Sequence, residues 1–140
     1  MNAQTINFEL VSPEEKLVSE PVRMAVIPGV EGELGVGPGH ASFVVALKPG
    51  VVQLFKEGSN DAQRIFIAGG FADVTGESCI VLAEEAVNVN QLDQSEIEQQ
   101  LKDLAEDLGI AKDKIEKSRV EKKITLAKAR LQAVTGKLVV

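Results

Sequence analysis

The chain has no tryptophan, no tyrosine, a single histidine (His40) and a single cysteine (Cys79). One cysteine cannot form an internal disulfide, so no oxidising compartment is indicated. A zinc site would need an unusual ligand set, and no metal site is expected. The only nucleophile–base pair of the Cys–His kind is Cys79 with His40. Cys79 sits in the run Ser78-Cys79-Ile80-Val81-Leu82 and reads as a packing residue. No apolar run approaches the ~20 residues that span a bilayer. The amino terminus, MNAQTINFEL, lacks the basic start and apolar stretch of a secretion signal, which leads us to expect cytoplasmic residence. Positive charge is also short: 15 basic against 21 acidic residues give −6, whereas nucleic-acid binders usually carry a basic footprint. Catalysis by this protein alone is not expected.

What is present is a chain of 140 residues, 44% hydrophobic and 26% charged, suited to one or two small soluble domains. Ile6, Phe8 and Leu10 alternate with polar neighbours, the period of a half-buried strand. Further strands are predicted at Val22–Ile27, Phe43–Leu47, Val51–Phe55, Ile65–Ala68 and Cys79–Ala83, several rich in β-branched residues. Pro28-Gly29, Pro49-Gly50, Gly58-Ser59-Asn60-Asp61, Gly69-Gly70 and Thr75-Gly76 supply turns between them. Many short strands with regular turns indicate a β-sandwich or barrel. Ten of the 12 glycines precede residue 90, so the composition changes there and a domain boundary is expected: 1–90 as β-sandwich, 91–140 as helices. The fold class is α+β.

Beyond the boundary the period becomes helical. Ile97, Leu101, Leu104 and Leu108 form one apolar stripe; Val120, Ile124, Ala127, Leu131 and Val134 form a second. Asp93 or Ser95 is the expected first cap, with Ser95 and Glu98 at capping-box spacing, and Gly109 the expected helix end. A second helix starting near residues 112–114 completes an antiparallel hairpin. Charge divides unevenly: residues 1–92 carry −7, 93–108 carry −5 and 109–140 carry +6. The first helix is thus acidic and the second basic, so they can pair electrostatically. The basic series Lys112, Lys114, Lys117, Arg119, Lys122, Lys123, Lys128 and Arg130 suits a partner-binding face as well as a solvated one.

Gly35-Val36-Gly37-Pro38-Gly39 lacks the spacing and strand–loop–helix context of a dinucleotide loop, and Thr135-Gly136-Lys137 lacks the flanking residues of a Walker A loop. Glu84 and Glu85 are adjacent, and in a strand they would face opposite ways, leaving at most one as a contact residue. The densest feature is Glu31–Phe43, EGELGVGPGHASF, with four glycines, a proline and the histidine in thirteen residues. Gly32, Gly35, Gly37 and Gly39 permit positive φ or close backbone approach, and Pro38 fixes a bend. It reads as a contact-bearing surface loop, with His40 tying it by a hydrogen bond.

That run closely resembles the ε subunit of bacterial F-type ATP synthase. Leu10-Val11-Ser12-Pro13-Glu14, Phe66-Ile67-Ala68-Gly69-Gly70-Phe71 and Val81-Leu82-Ala83-Glu84-Glu85-Ala86 match in order. The resemblance implies a flattened β-sandwich followed by a two-helix domain. It implies a non-catalytic subunit of the central stalk, bound to γ, with the sandwich resting on the membrane c-ring. Ring rotation driven by proton flow then turns γ and ε together and drives ATP synthesis from ADP and phosphate on β. The family's ring contact falls here on Glu31, Glu33, Gly35, Gly37, Pro38, Gly39 and His40; Gly37 departs from the family, which often has a larger residue there. In many members the helical domain extends along γ towards α and β and blocks rotation in the hydrolysis direction, which places the basic residues Lys122, Lys123, Lys128 and Arg130 near an acidic loop of β. The nucleotide motif of ATP-binding members, Ile/Leu-Asp-x-x-Arg-Ala, has no clean counterpart in Val120–Leu131, so no cofactor is expected. The implied location is the cytoplasmic face of the bacterial inner membrane, peripherally bound. A free-standing ligand-binding sandwich with a helical tail is the alternative from another class, and the mitochondrial δ counterpart shares the fold.

Overall fold

A computed structural model describes residues 4–136. The protein divides between Asn88 and Val89 into two compact units. The first contains β1 (Ile6–Val11), β2 (Lys16–Val22), β3 (Met24–Gly29), β4 (Gly32–Val36), β5 (Phe43–Leu47), β6 (Gly50–Phe55), β7 (Ala62–Ile67), β8 (Gly70–Val74), β9 (Ser78–Ala83) and β10 (Ala86–Asn88). They form a single sheet in the order β10-β7-β6-β3-β5-β8-β9-β1-β2, with β4 paired to β3 beside this path. Every pairing is antiparallel except β1 with β9, which is parallel. The sheet curls into the expected β-sandwich because alternate residues on each strand turn inward: Ile6, Phe8 and Leu10 on β1, Val52 and Leu54 on β6, Cys79, Val81 and Ala83 on β9. These side chains belong to one apolar cluster, and among the described residues none that is buried is polar or charged.

Four strands lie where the sequence pattern gave no expectation. β2 carries Pro21 and shows little burial; it is an edge strand, where a proline costs no ladder bond. The single strand expected over Val22–Ile27 is instead broken at Arg23, which separates β2 from β3. β4 occupies the first part of the expected surface loop. β8 begins at Gly70, within the expected Gly69-Gly70 turn, and a Cβ on Gly70 would meet the Leu82 carbonyl oxygen at 2.0 Å. This close approach of β8 to β9, with φ of 147°, needs glycine. β10 has only three residues.

The second unit begins with a short 3₁₀ turn, Val89–Gln91, followed by α1 (Gln94–Ile110) and α2 (Lys114–Thr135), which pack against each other. Asp93 is the N-cap of α1, accepting from the Glu96 N–H at 3.2 Å. Ser95 does not cap; it lies inside the helix, and Glu98 accepts from the Gln94 amide at 3.4 Å rather than closing a capping box. Gly109 is likewise inside α1, which runs on to Ile110 and ends at Ala111 in extended conformation. α2 starts with reciprocal capping: Asp113 accepts from the Glu116 N–H at 2.8 Å, and the Glu116 carboxylate accepts from the Lys112 N–H at 3.0 Å. Gly136 terminates α2 at φ 73°, its N–H donating to the Gln132 carbonyl at 2.8 Å. Burial in this unit is sparse: Ile97 and Leu104 on α1, Ala127 and Ala133 on α2. The remaining stripe residues, Leu101, Leu108, Val120, Ile124, Leu131 and Val134, are half-buried.

Candidate functional site

The glycine-rich segment is two surfaces joined by a strand. Gly29 pairs with Gly32 across a two-residue turn, so β3 and β4 form a tight hairpin with Val30 and Glu31 at its tip. A Cβ on Gly29 would lie 2.8 Å from the Gly32 carbonyl oxygen, and Gly32 has φ 141°. Both glycines are required by the turn. Val30 is half-anchored: its N–H donates to the Ala46 carbonyl at 3.1 Å while its side chain stays exposed. Glu31 and Glu33 are exposed beside it.

At the other end of β4, Gly37-Pro38-Gly39-His40 forms a β-turn. The His40 N–H donates to the Gly37 carbonyl at 3.3 Å, Pro38 precedes the bend, and Gly39 takes φ 79°. These are the requirements of a type II turn. The Gly39 N–H donates to the Gly76 carbonyl at 2.9 Å, tying the turn to the β8–β9 connection. His40 Nδ1 lies 2.9 Å from the Ala41 carbonyl, and its ring stands 5.1 Å from that of Phe43 at 57°.

The seven residues assigned by resemblance are therefore not one cluster. Glu31 is at the hairpin tip and Glu33 is the second residue of β4, while Gly37, Pro38, Gly39 and His40 belong to the turn. β4, five residues and about 17 Å long, separates Glu31 from that turn. Of the four glycines expected to use positive φ or a close backbone approach, Gly32 and Gly39 adopt positive φ; a Cβ on Gly35 would stand 3.6 Å from the Met24 sulfur and one on Gly37 3.6 Å from the Arg23 carbonyl oxygen, ordinary contacts that do not demand glycine.

Cys79 is fully buried in the sandwich core, with its thiol pushed from 9.0 up to about 12 by burial and, secondarily, by the charge of Asp73. A thiol held protonated in apolar surroundings is no nucleophile. Glu84 and Glu85 sit on the bend after β9, not in the strand, and both are exposed. Their backbone is fixed: the Glu84 N–H donates to Gly69 and the Ala68 N–H donates to Glu85, at 3.1 and 3.0 Å.

On α2, Lys122 and Lys123 are exposed, whereas Lys128 and Arg130 are half-buried. At 100° per residue, Lys122, Lys123 and Arg130 share an arc of about 100°, and Lys128 stands roughly 120° outside it. The hydrogen bonds described along the helix surfaces are local, such as Gln99 to Asp103 at 3.0 Å and Thr125 to the Glu121 carbonyl at 3.0 Å.

Sequence reasoning missed an apolar surface. On the outward side of β1, β9, β8 and β5, cross-strand pairing aligns Val11 with Leu82, Leu82 with Phe71, and Phe71 with Ala46. Phe71 and Leu82 are 57% and 52% exposed, and nearby Val44 is 71% exposed. The alternation of β8 carried the signal: if Ala72 and Val74 point inward, Phe71 must point out.

Comparison with known proteins gives a consistent picture. Residues 5–89 match the family model described as ATP synthase, Delta/Epsilon chain, beta-sandwich domain. Residues 93–139 match the model for the C-terminal domain of the ATP synthase epsilon chain. The protein is 41% identical over 138 residues to the ATP synthase epsilon chain of Rhodospirillum centenum, a match that spans 96% of this sequence and 94% of that one. It is 40% identical over 134 residues to the epsilon chain of Rhodospirillum rubrum, spanning 96% and 99%. One subunit in the cryo-EM structure of the Euglena gracilis mitochondrial ATP synthase, containing OSCP, F1 and the c-ring, superposes with a TM-score of 0.81 at 27% identity, spanning 92% of this protein and 80% of that one.

Proposed function

Since the protein belongs to the ATP synthase epsilon-chain family, we propose that it is a non-catalytic rotor subunit of the central stalk of an F-type ATP synthase. This reading rests on the match of both family models along nearly the whole sequence. In it, the subunit binds γ and the c-ring peripherally at the cytoplasmic face of the bacterial inner membrane. It transmits proton-driven ring rotation towards ATP synthesis without binding a nucleotide itself.

The geometry suits a mechanical part. A turn locked by Gly29 and Gly32 holds Glu31 and Glu33 outward on a short, stiff hairpin, and the Gly37–His40 turn is hydrogen-bonded to a different pair of strands. A transmitted torque needs contacts that do not yield, and backbone-fixed turns supply them. The ring contact is assigned to the Glu31/Glu33 end of the hairpin and the Gly37–His40 turn as two separate points of bearing, with Gly35 between them. Co-purification of the tagged protein with the native complex, and restoration of proton-driven ATP synthesis on adding it to depleted complex, test the reading. A monomer that enters no such complex would sink it in favour of the free-standing sandwich.

The helical unit is assigned the regulatory part. Lys122, Lys123 and Arg130 form the docking face towards α and β when the hairpin extends, with Lys128 outside that face. Exposed ion pairs contribute only ~0.2–1 kcal/mol each, so several must act together to bias a two-state element. Reversing all three to Glu should raise ATP hydrolysis by the complex, less so at high salt. Identical hydrolysis in wild type, triple variant and a hairpin deletion would remove the brake from this account.

A further inference from the structure

The connection between α1 and α2 holds three residues, Ala111, Lys112 and Asp113, with neither glycine nor proline among them. None of the three resists helical backbone as those two would. The helix ends also differ in how firmly they are closed. Gly136 seals α2 in the left-handed conformation with a bond of 2.8 Å. α1 has no such seal: the Ala111 N–H reaches the Leu108 carbonyl only at 3.4 Å. Ala111 has φ −65° and ψ 131°, so its φ is already helical and ψ alone takes it out of the helix.

The apolar pattern runs straight through this connection. The α1 stripe of Ile97, Leu101, Leu104 and Leu108 continues in the same steps of 4 and 3 to Ala111 and Ile115. On one unbroken helix Ile115 falls about 20° from Leu108, whereas on α2 it lies about 140° from Val120, where that helix's own stripe begins. In the hairpin Ile115 has no place in the seam and is 66% exposed.

Two carboxylates hold the hairpin form. A continuous helix would give the N–H groups of Lys112 and Glu116 to the carbonyls of Leu108 and Lys112, four residues back. In the hairpin the same donors go to side chains. The Lys112 N–H donates to the Glu116 carboxylate at 3.0 Å, and the Glu116 N–H to the Asp113 carboxylate at 2.8 Å. The Lys117 N–H bond to the Asp113 carbonyl, at 3.0 Å, is common to both arrangements. The capping box and the backbone carbonyls thus compete for one set of donors.

We infer that the Asp113–Glu116 box is the latch of a two-state joint. With the box closed, α1 and α2 are separate helices; with it released, residues 94–135 form one helix that carries Ile115 on the α1 stripe. This rests on the reading of the helical unit as the regulatory part, and it gives the extension assigned to that unit a pair of residues that sets its balance. A partner surface that covers the lengthened stripe favours the joined form by contacts made with that form alone. Without such a partner the seam of Ile97, Leu104, Ala127 and Ala133 keeps the hairpin.

The test places spin labels at Gln99→Cys and Gln132→Cys in the full-length protein, both exposed positions, while buried Cys79 takes no label. The labels stand within about 25 Å of each other in the hairpin and about 50 Å apart along a single helix. Trifluoroethanol, which favours helix over packing, is added until the otherwise wild-type protein shows both distances in equal amounts. At that concentration Asp113→Ala with Glu116→Ala should raise the ratio of long to short distances about fivefold, the weight of a typical cap. Asp113→Asn with Glu116→Gln keeps the box and should stay within about twofold. Ala111→Gly should lower the ratio about fivefold, because glycine disfavours helix at the joint. A ratio unchanged by breaking the box would overturn the latch. A broad spread of distances with no component near 50 Å would overturn the joint itself, since the helices would then part without joining. Neither result touches the stalk reading, which entry into the complex tests. A ratio shifted as expected, with ATP hydrolysis by the assembled complex unchanged, would support the latch and tell against the regulatory reading instead.

Discussion

The sandwich and the helical pair solve the same burial problem with unequal means. In the sandwich, seventeen buried residues from most of its strands share one cluster, and partners far apart in sequence close it, as with β1 beside β9. The helical pair buries only Ile97, Leu104, Ala127 and Ala133, two of them alanines, and leaves Ile110 and Ile115 at 75% and 66% exposure. The caps and hydrogen bonds described for it are local. A unit held by many non-local contacts opens as a whole, whereas one held by a thin seam opens easily. The first suits a bearing that carries load and the second an element that changes state.

The largest expected effects test that inequality. Phe8→Ala should cost the sandwich about 3–5 kcal/mol by leaving a cavity in its centre, and denaturant unfolding should show the loss in the sandwich transition alone. Leu104→Ala should cost about 2–3 kcal/mol and melt the helical pair first, visible as lost helical ellipticity before the sandwich unfolds. Equal, simultaneous losses in both variants would mean the two units unfold as one, and the comparison would fail.

Within the sandwich, glycine positions differ by their backbone. Gly39→Val should cost about 1–3 kcal/mol, because φ 79° is strained for a β-branched residue. Gly35→Val should stay within about 0.5 kcal/mol, as the site has room for a Cβ and no positive φ. If proton-pumping assays on reconstituted complexes track this difference, turn geometry governs the bearing. Equal impairment by both would point to the strand surface instead.

Cys79 reports on core integrity through pH. Its thiol titrates near 12 in the fold against 9.0 in an open polypeptide, so the fold favours the protonated form. That contribution is complete below pH 9 and is lost as pH rises towards 12, at about 1.4 kcal/mol per unit within that window. Unfolding free energy measured on wild type and Cys79→Ala should diverge in slope above pH 9. Parallel slopes would mean the thiol is not sealed in.

A small gain is expected in the helices. Gly109 lies inside α1 with open space where a Cβ would go, so Gly109→Ala should stabilise the pair by about 0.5–1 kcal/mol. Thermal scans that show no gain would place the end of α1 before Gly109 in solution.

How far the sequence could be read depended on how local each cause was. The alternation at Ile6–Leu10 and the two helical stripes follow from side groups a few residues apart, and they stand in the structure as sandwich strand and helical seam. Two-sided polarity hid β2, since an edge strand buries little and leaves no clean period. Glycine density made β4 look like loop, because only its pairing with β3 makes that segment a strand. Caps were ambiguous for a similar reason: Asp93 and Ser95 both have the chemistry, and the sequence does not say at which of them the helical backbone begins.

The sequence by itself determined a β-rich first part, a helical second part, their opposite charges and the family resemblance, because composition, period and motif are properties of neighbouring residues. Tertiary structure alone decided that the glycine-rich segment is a hairpin and a separate turn, and that Phe71 and Leu82 stand together outside the core. Both depend on strand pairing and register across distances that no local pattern encodes.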